Sequence, residues 1–360
     1  MFDIAVVGAG MAGLVCAQQL THAGYQVVVV EKSRGLGGRV ATRRLHGTCA
    51  DHGVCYLKPK GQLLPQLLQI LSELHLLQVW TDEVYEWSPE QRQPRSVTSA
   101  PCYVAPTGMN AITKFLATGL EIWLNRRVQA ITLRDDCWHL SLEPTNADTN
   151  GGMLQELDAR AVVIAIPAPQ ALMLLTATED LPRVFLERLQ AVEFDPCFSV
   201  IAGYSAPLDQ IAWKAVTFLG HPDLAWVGLD SSKRLVASGS SVFVLQSSAG
   251  FAERYLEAQD LQPVGCQLLA QAAVDLLPGL DSPDWMQVHR WRYAFPRRPW
   301  QETFLSAETP LPLICCGDWC GGNRVDNAIV SGVAAAKQIN DQLQQRTLPD
   351  NLFGLLVNAP

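Results

Sequence analysis

Apolar residues along the chain follow two patterns. Residues 4–7, Val27–Val30 and residues 161–167 are short, uninterrupted apolar runs, the mark of strands buried on both faces of a parallel sheet. IAVVGAGMAGLVCAQQL passes from the first run through three glycines into an apolar helix. Elsewhere apolar and polar positions alternate. EIWLNRRVQAITL and CWHLSLE predict an antiparallel meander, and FSVIAGY, LAWVGL and SVFVLQ predict further strands. Helical spacing predicts one or two helices over residues 62–80, one after an Asn110 cap, an amphipathic helix over residues 252–277, and a closing helix from Asn327. Residues 91–101 read as a polar hairpin or loop, NADTNGG as a turn, and the residues after Gln345 as a short tail.

Gly8, Gly10 and Gly13 stand between a predicted buried strand and a predicted helix. At this spacing glycines give a tight turn, let the backbone approach a pyrophosphate, and bring the helix onto the strand. The free N–H groups and partial positive charge of the helix N-terminus attract a diphosphate without a lysine. The second strand ends in Glu31, about twenty residues beyond the glycines, where a carboxylate accepts from the hydroxyls of an adenosine ribose. The order strand, glycines, helix, strand, acid makes dinucleotide binding the expected function of this part of the chain. Gly35, Gly37, Gly38 and Arg39 form a second glycine-rich turn close behind, with Arg39 available to a phosphate or hydroxyl oxygen. Far away in sequence Gly317 and Asp318 follow another apolar run, and an aspartate there can accept from a sugar hydroxyl.

Composition narrows the function classes. At 360 residues, 48% apolar and 17% charged, the chain has room for two domains or one large one with a full core. A net charge of −8 excludes a general nucleic-acid binder, which needs a basic face. The ten cysteines lack CxxC spacing, so reduced thiols in a cytoplasmic protein are expected, with neither a disulfide framework nor a zinc site. No basic leader precedes the first strand, and AVVIAIPAPQALMLL is interrupted by Pro167 and Pro169 and too short for a bilayer. No transmembrane segment is therefore expected. No triad, carboxylate pair or metal-ligand cluster stands out, so no metal is expected.

The GG-R turn behind Glu31 resembles the amine oxidase, phytoene desaturase and protoporphyrinogen oxidase group of flavoproteins. More narrowly, KSRGLGGRVATRR, YVAPTGMNAIT, VVIAIPAPQA, LAWVGLDSSK, HRWRYAFP and CGDWCGGNRVDNAIVSG are similar, in order and over nearly the whole chain, to the renalase family, especially its bacterial members. The resemblance implies an α/β fold holding non-covalent FAD: a Rossmann-type domain of the p-hydroxybenzoate hydroxylase kind, interleaved with an α+β substrate domain. Residues 1–60, 103–180 and 305–345 are expected in the FAD domain, 61–102 and 181–304 in the substrate domain, and 346–360 in the tail. The implied cofactor residues are Gly8, Gly10, Ala12, Gly13, Glu31, Lys32, Gly38, Arg39, Gly53, Val54, Cys55, Val128 through its backbone, Asp318, and Asp326 and Asn327 at the start of the closing helix.

Renalase-like enzymes oxidise the 2- and 6-dihydro isomers of NAD(P)H by hydride transfer to flavin N5, with reoxidation by oxygen or another acceptor. The implied partner is thus a small molecule such as a dihydronicotinamide nucleotide. Such a substrate is already a hydride donor and needs orientation more than a strong base. His289, Trp291, Arg292 and Tyr56 are the candidate substrate face: His289 can donate to a carboxamide and Arg292 can meet a phosphate. In a strand, however, residues 289, 291 and 293 share one face and Arg292 lies on the other. A strand histidine bonded to backbone is the competing reading of His289. Lys214 reads as a surface lysine, and Cys315, Cys316 and Cys320 as buried thiols rather than a flavin thioether. The chain departs from the family pattern at Cys55, Leu229, Asp230, Gln246 and Phe251, all on the substrate side. Those departures leave open another flavin amine oxidase or desaturase, or a flavin-holding relay without turnover.

Overall fold

The computed structural model describes residues 1–91, 93–145, 155–179, 181–205, 211–235 and 240–357. The first apolar runs form the centre of an eight-stranded sheet. β1 (Phe2–Val7) lies between β2 (Val27–Val30) and β10 (Gln155–Ile164), parallel to both. Beyond β2 comes β7 (Glu121–Trp123), and beyond β10 comes β17 (Leu313–Cys315), again parallel. β16 (Leu305–Ser306) closes the edge beside β17, while β8 (Arg126–Arg134) and β9 (Cys137–Pro144) hang on β10 as an antiparallel pair. The expected meander is thus split: its first strand joins the parallel sheet and only the other two form the hairpin. The turn expected at NADTNGG lies outside the described residues.

α1 (Met11–His22) returns along this sheet and packs against α8 (Val325–Gln342) so closely that a methyl group on Gly332 would lie 2.5 Å from the Ala12 carbonyl oxygen. α3 (Asn110–Leu116) lies beside α1. α4 (Ala168–Leu175) and α5 (Arg183–Gln190) help enclose the apolar cluster on the opposite face, around Val28, Val162 and Leu175.

The second sheet has seven strands in the order β15 (Trp285–Arg298), β11 (Glu193–Tyr204), β14 (Ser241–Ser247), β13 (Leu224–Leu229), β12 (Ala215–Phe218), β5 (Gln78–Trp87), β6 (Arg95–Val104). Alternation along each strand gives it two buried faces. Phe198, Val200, Phe243 and Leu245 pack with α6 (Ala249–Tyr255) and α7 (Gln262–Asp275), while Ile201, Val242, Val244 and Trp226 join the core of the first domain. A small hairpin, β3 (Thr42–Leu45) and β4 (Thr48–Asp51), bridges the two.

Several expected boundaries move. The helix expected over residues 62–80 is α2 (Leu63–Glu73), because His75 adopts a left-handed backbone with φ 55° and the chain then enters β5. The polar stretch at 91–101 is largely β6, paired antiparallel to β5. The single helix expected over 252–277 is two, α6 and α7, with Pro263 in the first turn of the second. The closing helix starts at Val325, two residues before Asn327. The expected tail contains α9 (Leu352–Val357), which buries Leu352, Phe353 and Leu356 against α2. Among the described residues, no helix is long and apolar enough to cross a membrane.

Candidate active site

Three segments, the third of them distant in sequence from the other two, meet at the carboxyl end of the parallel sheet, where open α/β sheets bind ligands. In the first, Gly8 turns the chain out of β1 and Gly13 lies on α1 against the Gly8 carbonyl. Gly10 caps α1 without a side-chain partner, and a methyl group placed on it would touch nothing within 4 Å. The unfilled ground in front of bare helix N–H groups has the shape and sign to take a diphosphate. Ala12, the second residue of α1, is buried, so only its backbone is available to a ligand.

At the end of β2, Glu31 is buried and held by two backbone donors: Ala9 N–H to Oε2 at 2.9 Å and Ser33 N–H to Oε1 at 2.8 Å. Each carboxylate oxygen keeps a second lone pair for a ribose hydroxyl. Lys32 beside it is exposed, and Val128 is buried on β8, whose first residue donates its N–H to the Glu31 carbonyl.

The second segment, residues 37–39, folds onto the first. Gly37 N–H donates to the Ala9 carbonyl, and a methyl group on Gly38 would stand 3.7 Å from Gly10 Cα. Arg39 then reaches the third segment: its guanidinium bonds Asp318 Oδ1 at 2.5 Å and the Ala294 carbonyl at 3.0 Å. Asp318 is placed by β17 and by the Gly317 N–H, which donates to Ser331 on α8. Asn327 is committed to the start of its own helix: it accepts from the Asn323 and Arg324 N–H groups and donates to the Gly321 carbonyl. Asp326 faces Gly61 and has its Oδ1 buried without a partner.

Residues 51–56 pass between this end of the parallel sheet and the second sheet. Val54 N–H bonds the Arg39 carbonyl at 2.9 Å, and Gly53 lies so close to that carbonyl that a methyl group would sit 1.9 Å from it. On the other side, neighbouring strands of the second sheet align a row of side chains, with His289, Ser199, Gln246 and Trp226 in register across β15, β11, β14 and β13. The row contacts the segment residue by residue. Ser199 Oγ donates to the His52 carbonyl at 2.7 Å, as does Trp291 Nε1 at 2.9 Å. Gln246 Nε2 donates to the Gly53 carbonyl at 2.8 Å and approaches Cys55 Sγ at 3.6 Å. Tyr56 lies 6.2 Å from Trp226 and 6.3 Å from Trp80, ring centre to ring centre.

His52, His289 and Trp291 form one aromatic group, with ring centres 4.2–5.3 Å apart. Burial, then the neighbouring His289 and the Arg43 charge, lowers His52 to about 3; burial and Arg43 lower His289 to about 4. Both rings are therefore neutral near pH 7. Burial raises the Cys55 thiol well above its ordinary range and lifts Tyr56 to about 12, so neither is an anionic nucleophile.

Behind Tyr56 lies a charge network that the sequence reading missed. Lys233 and Asp230, on a short 3-10 helix (Asp230–Lys233), and Asp51 on β4 are fully buried. Lys233 Nζ bonds Asp230 at 2.6 Å and Asp51 at 3.5 Å, and Arg234 bonds Asp51 at 3.1 Å and also pairs with Asp230. Asp51 further accepts from Thr42 Oγ1 and Met109 N–H. Burial alone would neutralise these groups, but the opposite charges outweigh it: Asp51 is held low and Lys233 high. The Lys233 ammonium lies 5.3 Å from the Trp80 ring centre and 6.0 Å from that of Trp226. Acids and bases spaced at 230, 233 and 234 were a visible signal; their buried partner at 51 was not.

Arg292 does not join the site. It points to the opposite face of β15 and pairs with Glu257 at 2.5 Å, next to Arg290, which donates to the Leu256 and Ala258 carbonyls. The strand geometry decides this, since odd positions of β15 face the row and even positions face away. Lys214 is exposed and donates to the Trp80 carbonyl. Cys315, Cys316 and Cys320 are buried free thiols.

Comparison with known proteins agrees with this geometry. Residues 6–74 match an NAD(P)-binding Rossmann-like domain, and residues 85–340 match the flavin containing amine oxidoreductase family. AofH of Mycobacterium tuberculosis, which carries the name of a flavin-containing monoamine oxidase, is 46% identical over 57 residues, 16% of this chain and 13% of that protein. The L-amino-acid oxidase of Crotalus adamanteus is 41% identical over 66 residues, 18% of this chain and 13% of that one. The matched stretch thus spans only a small part of these curated relatives. Solved putrescine oxidase structures share the fold at a TM-score of 0.70 and 16% identity, over 94% of this chain and 99% of theirs. With the second match covering most of its length, the chain belongs to the flavin containing amine oxidoreductase family, a class of FAD-dependent oxidoreductases.

Proposed function

We propose that the protein is a renalase-like oxidoreductase that oxidises 2- or 6-dihydro isomers of NAD(P). Bound FAD would supply the hydride acceptor at N5, with oxygen or another acceptor as the final electron sink. The FAD diphosphate would lie before Gly10, with Gly8 and Gly13 shaping the turn, Glu31 on the adenosine ribose, and Arg39 and Asp318 on the ribityl side. Gly38, Gly53, Val54 and Cys55 would border the ring through their backbone, with Lys32, Ala12 and Val128 at the adenosine end and Asp326 and Asn327 at the start of α8. The FAD part would comprise the first sheet and the substrate part the second; α2, expected with the substrate part, packs on α8, and α9 of the expected tail packs on α2.

One observation carries the choice of substrate: the floor formed by Tyr56, Trp226, His289 and Trp291 is aromatic and uncharged, and the carboxylates behind it, Asp51 and Asp230, are already paired with Lys233 and Arg234. Among the described residues a protonated amine would find no free carboxylate there, whereas a flat, neutral dihydropyridine can stack on the aromatic rings. Neutral His289 can donate a hydrogen bond to a carboxamide without repelling the positive charge that develops on the oxidised ring. Anaerobic mixing of the holoenzyme with 6-dihydro-NAD is expected to bleach the flavin band. Bleaching by putrescine or an L-amino acid, with none by the dihydro-NAD isomers, would overturn this reading.

A further inference from the structure

A dinucleotide substrate carries a diphosphate, and most basic side chains near the floor are occupied. Arg39 is held by Asp318, Lys233 and Arg234 by the two buried aspartates, Arg292 by Glu257, and Arg44 by the Thr107 carbonyl. Arg43 differs. Among the described residues no carboxylate pairs with its guanidinium, which makes no hydrogen bond to them, and its Nε is buried without a partner. A half-buried arginine left in this state has five donor hydrogens and nothing among the described residues to receive them.

Its placement is equally specific. The β3–β4 hairpin and the residue after it meet β15 through aromatic rings at two places. At its tip His46 stacks on Trp285 with ring centres 4.5 Å apart, and just past its base His52 meets His289 and Trp291. Arg43 lies between these two contacts, paired with Ala50 and on the hairpin face that His52 also uses. Burial above all, with the nearby Arg43 charge adding to it, keeps both His52 and His289 neutral, so that neither competes for an anion. A ring seated against His289 and Trp291 would thus have a free guanidinium beside it.

We propose that Arg43 is the anion-recognition residue of the substrate site and receives a phosphate of a dinucleotide through charge-assisted hydrogen bonds. This rests on the dinucleotide reading above, and the test separates the two. ADP-ribose, which carries the diphosphate but no reducible ring, is titrated into the holoenzyme and followed by tryptophan fluorescence, with Arg43→Gln and Arg43→Lys variants matched for flavin content. Arg43→Gln is expected to weaken binding roughly tenfold or more, and Arg43→Lys to restore part of it, as expected for a charge-assisted contact. In parallel, 6-dihydro-NAD is compared with N-benzyl-1,6-dihydronicotinamide, an uncharged ring. The preference for the dinucleotide over the uncharged ring, as kcat/KM, should fall about tenfold in Arg43→Gln, mainly through KM. Equal ADP-ribose affinity in wild type and Arg43→Gln, or no binding to either, overturns the role of Arg43. If neither dihydropyridine bleaches the wild type while ADP-ribose binding still depends on Arg43, the substrate reading falls and the anion site stands.

Discussion

The two sides of the site are built from different materials. On the first sheet the groups proposed to meet the cofactor are largely backbone: an uncapped helix start, glycine turns and carbonyls, steadied by Glu31 and Asp318. On the second sheet they are side chains in a cross-strand row, supported by buried ion pairs. The first side is therefore expected to keep its fold without its ligand, whereas the second is part of the packing that joins the two sheets.

The largest effect should come from Lys233→Met, which leaves Asp230 and Asp51 short of a cation inside the core. Removing one partner of such a buried network costs about 3–5 kcal/mol, to be read from the midpoint of urea unfolding. A neutral result would show that the ion pairs are incidental to the clasp. Next, Gly10→Val adds bulk where the fold has none, at a backbone with φ −80° that valine tolerates. FAD affinity should fall on the order of 100-fold, about 2.7 kcal/mol, with apoprotein stability unchanged. Loss of fold instead would place both sides in the same class.

Acid sharpens the contrast further. His52 and His289 have folded pKa values of about 3 and about 4, lowered from 6.5, so unfolding takes up protons below pH 6.5. Their contribution is present in full above that value and is lost as pH falls toward the folded values. His52 alone should cost about 2 kcal/mol by pH 5, seen as a falling melting temperature that His52→Phe flattens. The smallest effect is expected from Arg292→Gln on the far face of β15. Stability should stay within the error of a denaturant melt, and kcat/KM for 6-dihydro-NAD should match wild type.

The same difference explains what the sequence could reveal. Gly8, Gly10, Gly13 and Glu31 act within one strand–helix–strand unit, so their spacing in the chain carries their geometry. The join to Asp318 is not a matter of spacing, since Arg39 and Asp318 are 279 positions apart; only the motif at each end was readable. The row of His289, Ser199, Gln246 and Trp226 depends on the register of four strands, which alternation alone does not fix. Strand alternation did put Arg292 opposite His289, and the structure places it there. β5 was hidden because Leu76 and Leu77 extend the apolar spacing of α2 past the point where His75 ends the helix. Arg43 drew no notice in the sequence, because what distinguishes it is the lack of a partner.

The parallel sheet also constrains how the protein is made. β1 needs β10 on one side, β10 needs β17, and α1 needs α8, so the nucleotide fold closes only once residues beyond 325 have been synthesised. On the ribosome the first glycine turn must wait for about three hundred further residues before its backing arrives, with the apolar runs of residues 4–7 and 27–30 unsheltered. FAD capture is consequently a late step in biogenesis. Cells short of riboflavin should accumulate full-length apoprotein rather than stalled fragments already carrying the coenzyme.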